Sequence, residues 1–202
     1  MRAQLDDEKI VAAVKVAEAK TSGQIVCVLA RQSCDSSGVS ALYAGVLACL
    51  VPWPLLAATA WPGQLIFAIQ IAVFIAALLL FGLTPLGVAL LPRVERRRQA
   101  FRIAAEQFFI RGVSRTKSRA GVLIFVSLAE RYARILADEG LTDKVSEQQW
   151  REVMDALTDH LRANRVTEGF IAAIESCGAL LGGVAPPDGA GNELPDGVVR
   201  LD

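Results

Sequence analysis

The uncharged stretch at residues 36–92 decides the architecture, and it reads SSGVSALYAGVLACLVPWPLLAATAWPGQLIFAIQIAVFIAALLLFGLTPLGVALLP. It contains no Asp, Glu, Lys or Arg in 57 residues, although the chain of 202 residues carries 21 acidic and 21 basic side chains. Scattered charges would leave such a gap roughly once in a million cases. Two segments, 39–60 and 64–83, reach the length of about 20 residues that a helix needs to cross a bilayer core. We therefore predict a transmembrane hairpin over residues 36–92.

A buried helix pair in a soluble protein is the alternative interpretation of this stretch. The rest of the chain, 145 residues, is too short to enclose two such helices. A channel or transporter subunit is disfavoured because the spans hold no ionisable side chain, and Gln64 and Gln70 are the strongly polar residues of the second span. Pro52 and Pro54 predict a kink in the first span. Ala41, Gly45 and Cys49 recur every four residues and predict close packing against the second span.

Basic residues flank the uncharged stretch on both sides. Arg93, Arg96, Arg97 and Arg98 follow it, and Arg31 precedes it, whereas the turn at residues 61–63 has no charge. The positive-inside rule predicts a multi-pass membrane protein with both termini in the cytoplasm and the turn outside. The first 38 residues hold many charges before any apolar run, so no signal peptide is expected. Four cysteines without metal-binding spacing fit reduced thiols.

The flanking segments show helical and strand patterns. Amphipathic periodicity and continuous apolar runs predict helices at 6–20 and 94–111, helices capped by Ser146 and Thr167, and strands at 24–30, 122–128 and 132–137. The last two strands are close enough to pair antiparallel. Residues 184–202 are rich in Pro, Gly and Asp and predict a disordered tail.

The amino-terminal flank is too short to form a core of its own. Residues 1–35 supply one helix and one strand, and residues 93–183 supply two strands and three helices. Both emerge on the same side of the membrane, so we predict one α/β domain that the hairpin 36–92 interrupts.

Several short motifs give the chain a resemblance to the TPM domain family. They are Thr21-Ser22-Gly23 before a strand, Gly121-Val122-Leu123-Ile124-Phe125-Val126-Ser127-Leu128, Glu130-Arg131, Ile135-Leu136-Ala137-Asp138-Glu139-Gly140-Leu141 and Trp150. The resemblance covers most of residues 5–183 outside the hairpin and implies a bacterial, membrane-anchored member, located in the inner membrane. It also implies the fold, a small α/β domain with a βαββα arrangement whose helices pack on a mixed sheet. Some members are associated with acid phosphatase activity and with metal binding by loop aspartates, and other bacterial members are membrane proteins of unknown role.

The acidic residues that the resemblance implies are incomplete here. Members regarded as catalytic tend to carry an acidic pair after the second strand, where this chain has Ala129-Glu130. Under a phosphatase hypothesis, Glu130 and Asp138 are the catalytic candidates, and Glu130, Asp138, Glu139 and Asp143 are the metal-ligand candidates. The favoured interpretation is structural: Glu130 is expected in a solvated turn, and Asp138 and Asp143 in loops or caps. Ser127 is expected in the core, with no base beside it.

Two functional hypotheses follow from these observations. The favoured one is a non-catalytic membrane protein whose cytoplasmic TPM-like domain docks a protein partner or self-associates, with the lipid bilayer as its other partner and no cofactor. The alternative is a membrane-anchored phosphomonoester hydrolase that uses a divalent metal. Zero net charge argues against a nucleic-acid partner.

Overall fold

The computed structural model describes residues 5–34, 37–84, 86, 89, 91–187, 193–195 and 197–201. The chain separates into two units. One unit comprises Met1–Gln32 and Ala100–Asp202, and the other comprises Ser33–Gln99. We call the first the α/β unit and the second the hairpin unit.

The helices and strands follow one another in the order α1 (Asp7–Glu18), β1 (Gln24–Ala30), α2 (Ser37–Leu50), α3 (Pro52–Ala58), α4 (Gly63–Leu83), α5 (Arg93–Ile110), β2 (Gly121–Ser127), β3 (Tyr132–Ala137), α6 (Glu147–Arg162), α7 (Val166–Val184) and β4 (Val198–Leu201). Short 3-10 turns occupy Val113–Arg115 and Glu139–Leu141. The three strands expected from the sequence are present.

The sheet has four strands in the order β3-β2-β1-β4. Strand β1 runs parallel to both β2 and β4, and β2 pairs with β3 antiparallel, as the short connection between them predicts. The sheet is therefore mixed. Because helices pack on it, the predicted α/β fold class is confirmed. Gln24 lies opposite Gly121 and Ala30 opposite Ser127, so β1 and β2 are aligned along their whole length.

Helices cover both faces of this sheet. Ile25, Cys27 and Leu29 of β1 point into a core that α1, α6 and α7 complete. The alternate residues, Val26 and Val28, point into a second core that includes Ala104 and Phe108 of α5. Because successive strand side chains face opposite sides, a strand buried on both faces is apolar at every position. The continuous apolar runs of β1 and β2 have this origin.

The expected disorder of residues 184–202 is wrong for the final strand. Residues 198–201 form β4, whose pairing with β1 places Cys27 opposite Val198 and Ala30 opposite Leu201. The amide oxygen of Gln24 accepts hydrogen bonds from the backbone N–H groups of Glu193 (3.0 Å) and Leu194 (3.1 Å). The open edge of β1 satisfies its backbone groups by recruiting this segment, which overrides its turn-rich composition. Residues 188–192, 196 and 202 lie outside the described residues.

Two predicted helix starts have different outcomes. Ser146 caps α6 in a complete capping box with Gln149, as predicted. Thr167 does not cap α7, because that helix begins one residue earlier, at Val166. The Thr167 hydroxyl instead accepts a hydrogen bond from the backbone N–H of Asp6 at 3.1 Å. It thereby joins the start of α7 to the residue that caps α1.

The hairpin unit contains two segments that are long and apolar enough to cross a membrane, Ser37–Ala58 and Gly63–Leu83. The first is divided at Val51, which keeps helical backbone angles, and α3 starts at Pro52, where the sequence predicts a kink. Only 11% of the residues in the most apolar window of each segment are buried within the protein. A helix in the core of a soluble protein is mostly buried, so these two differ from core helices.

The packing face of the first segment differs from the prediction. Ser40, Ala44 and Ala48 are its buried residues, whereas Ala41 and Cys49 are exposed. The Ser40 hydroxyl donates to the carbonyl oxygen of Phe81 on α4 at 3.5 Å. The predicted spacing of four residues is therefore correct, but the buried row starts at Ser40 and not at Ala41. Both residues begin a row of small side chains, so the sequence alone does not distinguish them.

Candidate functional site

The end of the sheet at which the parallel strands finish holds a buried polar pair. Ser127 is the last residue of β2 and is 1% exposed, and Glu130 in the following turn is 9% exposed. The Ser127 hydroxyl donates a hydrogen bond to the Glu130 carboxylate. Ligands of open α/β sheets bind outside the carboxyl ends of the strands, so this pair lies at the end where a site is expected.

The turn between β2 and β3 directs Glu130 inward. Arg131 has a φ of 51°, and its backbone N–H donates to the carbonyl oxygen of Leu128 at 3.3 Å. This tight reversal lets the side chain of Glu130 fold back onto the end of β2. The expectation of a solvated Glu130 is therefore wrong: the carboxylate is buried, and it accepts a hydrogen bond from the Ser127 hydroxyl that offsets part of the cost of burial.

Asp138 lies at the opposite end of the same hairpin. Its backbone N–H donates to the carbonyl oxygen of Gly121, the first residue of β2. Its carboxylate accepts a hydrogen bond from the backbone N–H of Glu139 at 2.7 Å and so caps the 3-10 turn Glu139–Leu141. Asp138 is 3% exposed, and the guanidinium of Arg119 lies 3.7 Å from its Oδ2. Asp138 therefore has the capping role that the structural interpretation expected.

Two further predicted ligands lie on the surface near Asp138. The Glu139 carboxylate contacts Arg119 at 3.1 Å and its side chain is 89% exposed. Asp143 is exposed as well. Gly140 permits the close approach of the two loops, since a Cβ there would come within 2.3 Å of the carbonyl oxygen of Arg119. The Asp138 end of the sheet is thus organised around Arg119.

The four candidate metal ligands do not form one site. The six residues of β3 separate Glu130 from Asp138, which at about 3.4 Å per residue is roughly 20 Å. Among the described residues no group of three or more His, Cys, Asp or Glu side chains is arranged to hold a metal ion. A metal that required Glu130 and Asp138 together does not fit this arrangement, and we derive no chemistry through one.

The chemistry available at the Ser127–Glu130 pair is limited by access. A carboxylate that accepts the proton of a serine hydroxyl is the arrangement of a base and a nucleophile. Here both groups are buried, and the hydroxyl lies within the paired part of the sheet. The sequence contained a signal for this pair, since the four-residue connection 128–131 keeps positions 127 and 130 at the same end of a hairpin. Ser127 is buried as predicted, but the prediction that no base lies beside it is wrong.

Two cysteines in the core are chemically quiet. Cys27 of β1 and Cys177 of α7 are fully buried. Burial raises the pKa of the Cys177 thiol to about 12 and raises the pKa of the Cys27 thiol further, with a smaller contribution from Cys177 itself. A thiol held neutral in this way is a poor nucleophile. Both residues are therefore small apolar core residues, as expected.

Comparisons with known proteins identify a domain and a fold. The model of the family described as "TPM domain" matches residues 84–180. No curated protein matches the chain. The fold is similar to the NMR structure of the BA42 protein from the psychrophilic bacterium Bizionia argentinensis, with a TM-score of 0.61 and 20% sequence identity over 98% of this chain and 95% of that chain. At this level of identity the likeness concerns the fold.

Proposed function

Since this chain carries a TPM domain, which the family model matches at residues 84–180, we propose that it is a non-catalytic membrane protein. Its TPM domain docks a protein partner or another copy of the chain. The observation that carries the proposal is the use of its acidic side chains. Glu130 is hydrogen-bonded to Ser127, and Asp138 caps a turn at the other end of the sheet. Both carboxylates have structural roles that account for their burial.

Membrane anchoring is the second part of the proposal. The exposed apolar surface of Ser37–Ala58 and Gly63–Leu83 supports it, because such a surface is stable in hydrocarbon and costly in water. Trp61 is 47% exposed and lies in the connection between the segments, where an indole ring suits a membrane interface, and Trp53 is 76% exposed in the last two turns of the first segment. The protein is expected to remain in the membrane fraction in high salt and to require detergent for extraction.

The orientation has its own test. We infer that both termini face the cytoplasm of a bacterial cell, with the turn at residues 61–63 outside, because basic residues flank the segments and the turn carries none. Reporters fused to either end should show cytoplasmic activity, and a reporter inserted at the turn should show periplasmic activity. The reverse result would overturn the orientation.

The alternative function is a metal-assisted phosphomonoester hydrolase, supported by the position of Glu130 beside Ser127 at the carboxyl end of β2. The full chain in nanodiscs is assayed on a generic phosphate ester with Mg²⁺, Mn²⁺, Ca²⁺ or Zn²⁺. We expect no metal-dependent turnover above that of Glu130→Gln. Turnover that Glu130→Gln removes and the exposed control Glu147→Gln retains would establish the enzyme and refute the proposal.

Docking is tested by cross-linking in the cell. Phe109 of α5 is 64% exposed and belongs to the α/β unit. Val16 of α1 is 60% exposed and gives a second position. A photoreactive amino acid at either position should form adducts with a partner or with a second copy of the chain. Chains that stay free of adducts at both positions, and that are monomeric by light scattering in detergent, would contradict the proposal.

A further inference from the structure

The arginines of this protein differ in whether they contact a carboxylate. Five of them contact a carboxylate within 4.0 Å: Arg119, Arg151, Arg162, Arg165 and Arg200. Three exposed arginines in the first two turns of α5 have no such contact within the described part of the chain. These are Arg93, Arg97 and Arg98, which we call the arginine cluster.

The arginine cluster carries uncompensated positive charge. Arg93 and Arg97 are four residues apart on one helix, a spacing at which like charges repel. They also lie in the first turns of α5, where the helix dipole is positive and further positive charge is unfavourable. The acidic residue of this segment, Glu95, accepts a hydrogen bond from the side-chain amide of Gln99 at 3.0 Å. An anion bound from outside the chain would therefore lower the electrostatic energy of the cluster.

The position of the arginine cluster indicates which anion this is. The cluster belongs to the hairpin unit, the same unit as both candidate membrane segments. Arg93 follows the end of α4 at Leu83 by ten residues. We propose that the arginine cluster binds the phosphate groups of anionic lipid headgroups, an inference that rests on the membrane anchoring proposed above. Guanidinium groups suit this role because they donate two parallel hydrogen bonds to a phosphate.

The test uses the full chain in nanodiscs of phosphatidylcholine alone or with phosphatidylglycerol. Native mass spectrometry counts the lipids of each kind that stay bound, and thermal unfolding gives the midpoint in each disc. The variant Arg93→Gln/Arg97→Gln/Arg98→Gln is compared with Arg151→Gln/Arg162→Gln/Arg165→Gln, which removes the same charge from ion-paired positions of α6 and its connection to α7. We expect the native chain to retain phosphatidylglycerol preferentially and to unfold at a higher temperature with it.

Each outcome decides the proposal. Loss of the preference, on the order of tenfold or more, in the cluster variant and not in the control variant supports it. The effect should also weaken as salt rises, because screening acts on exposed charges. An equal preference in both variants would overturn it, as would reproduction of the thermal shift by inorganic phosphate in phosphatidylcholine discs. Failure of the chain to enter nanodiscs would instead refute the membrane anchoring itself.

Discussion

The two units of this protein place apolar side chains in opposite surroundings. In the α/β unit Phe125 and Phe170 are fully buried among other side chains. In the hairpin unit Phe67 and Leu79 are 63% and 56% exposed. Since apolar surface of this extent is unfavourable in water, the difference supports the proposal that the hairpin unit lies in lipid, whereas the α/β unit carries its own apolar core.

The units also differ in how far apart their contacting residues lie in the sequence. The hairpin unit packs α2 against α4, which are neighbours along the chain except for the short helix α3. The α/β unit joins Asp6 to Thr167, Gln24 to Leu194 and Asp7 to Arg200. Its sheet therefore depends on both ends of the chain being present together.

The largest expected effect comes from removing one phenyl ring in each unit. Phe170→Ala should lower the free energy of unfolding by about 3–5 kcal/mol, because it leaves a cavity in a close-packed core. Phe67→Ala should cost below about 1 kcal/mol, because lipid tails fill the vacated space. Unfolding of both variants in the same detergent measures the difference. Similar losses at the two positions would mean that the units do not differ in solvent.

A charge placed on exposed isoleucines gives the next largest difference. Ile75→Asp on α4 should reduce membrane insertion by about 2.5–3.5 kcal/mol, the cost of an aspartate within the bilayer. Ile110→Asp, at a position that is 64% exposed in the α/β unit, should change stability by about 0.5 kcal/mol or less. The yield in the membrane fraction reports the first effect. Normal insertion of the Ile75→Asp chain would show that Ile75 does not lie within the bilayer.

The contact between the two ends of the chain predicts a smaller effect. Gln24→Ala removes the acceptor for the backbone N–H groups of Glu193 and Leu194 and should cost about 1–2 kcal/mol. Hydrogen exchange at Val198–Leu201 should accelerate while exchange in α4 stays unchanged. The matched control is Gln149→Ala at the exposed capping box of α6, which should leave exchange in β4 unaffected.

A buried cysteine of the α/β unit and an exposed cysteine of the hairpin unit should affect the pH dependence of stability differently. Below about pH 9 the Cys177 thiol is protonated in the folded and unfolded chain alike. Between about pH 9 and about pH 12 the unfolded chain loses this proton and the folded chain keeps it, so stability falls as pH rises. The slope contributed by one such thiol is up to about 1.4 kcal/mol per pH unit.

Unfolding curves across this pH range test the cysteine prediction. Cys177→Ala should make the dependence of stability on pH shallower, whereas Cys49→Ala, at an exposed position of the hairpin unit, should reproduce the native dependence. A native slope in Cys177→Ala would show that the buried thiol does not control stability in alkaline solution.

Sequence reasoning succeeded where structure depends on neighbouring residues. The apolar runs at 24–30 and 122–128 predicted strands covered on both faces, and Ser146 with Gln149 predicted a helix start. It failed where a distant partner decides. Residues 198–201 become a strand because β1 has an open edge, and no pattern within that segment records this partner. The burial of Glu130 is a different failure, because its partner Ser127 is three residues away and the short connection between them was visible in the sequence.

The parallel pairing of β1 with β2 has a consequence for synthesis on the ribosome. Gln24 and its partner Gly121 lie 97 positions apart, and both candidate membrane segments are made between them. The first strand, a run of seven buried residues, therefore leaves the ribosome well before anything can pair with it. Contacts between residues so distant form slowly. The sheet therefore cannot assemble until both segments have been made, and under the proposed membrane anchoring the hairpin is inserted before the sheet forms. The nascent amino-terminal segment then needs protection from aggregation until translation reaches β2.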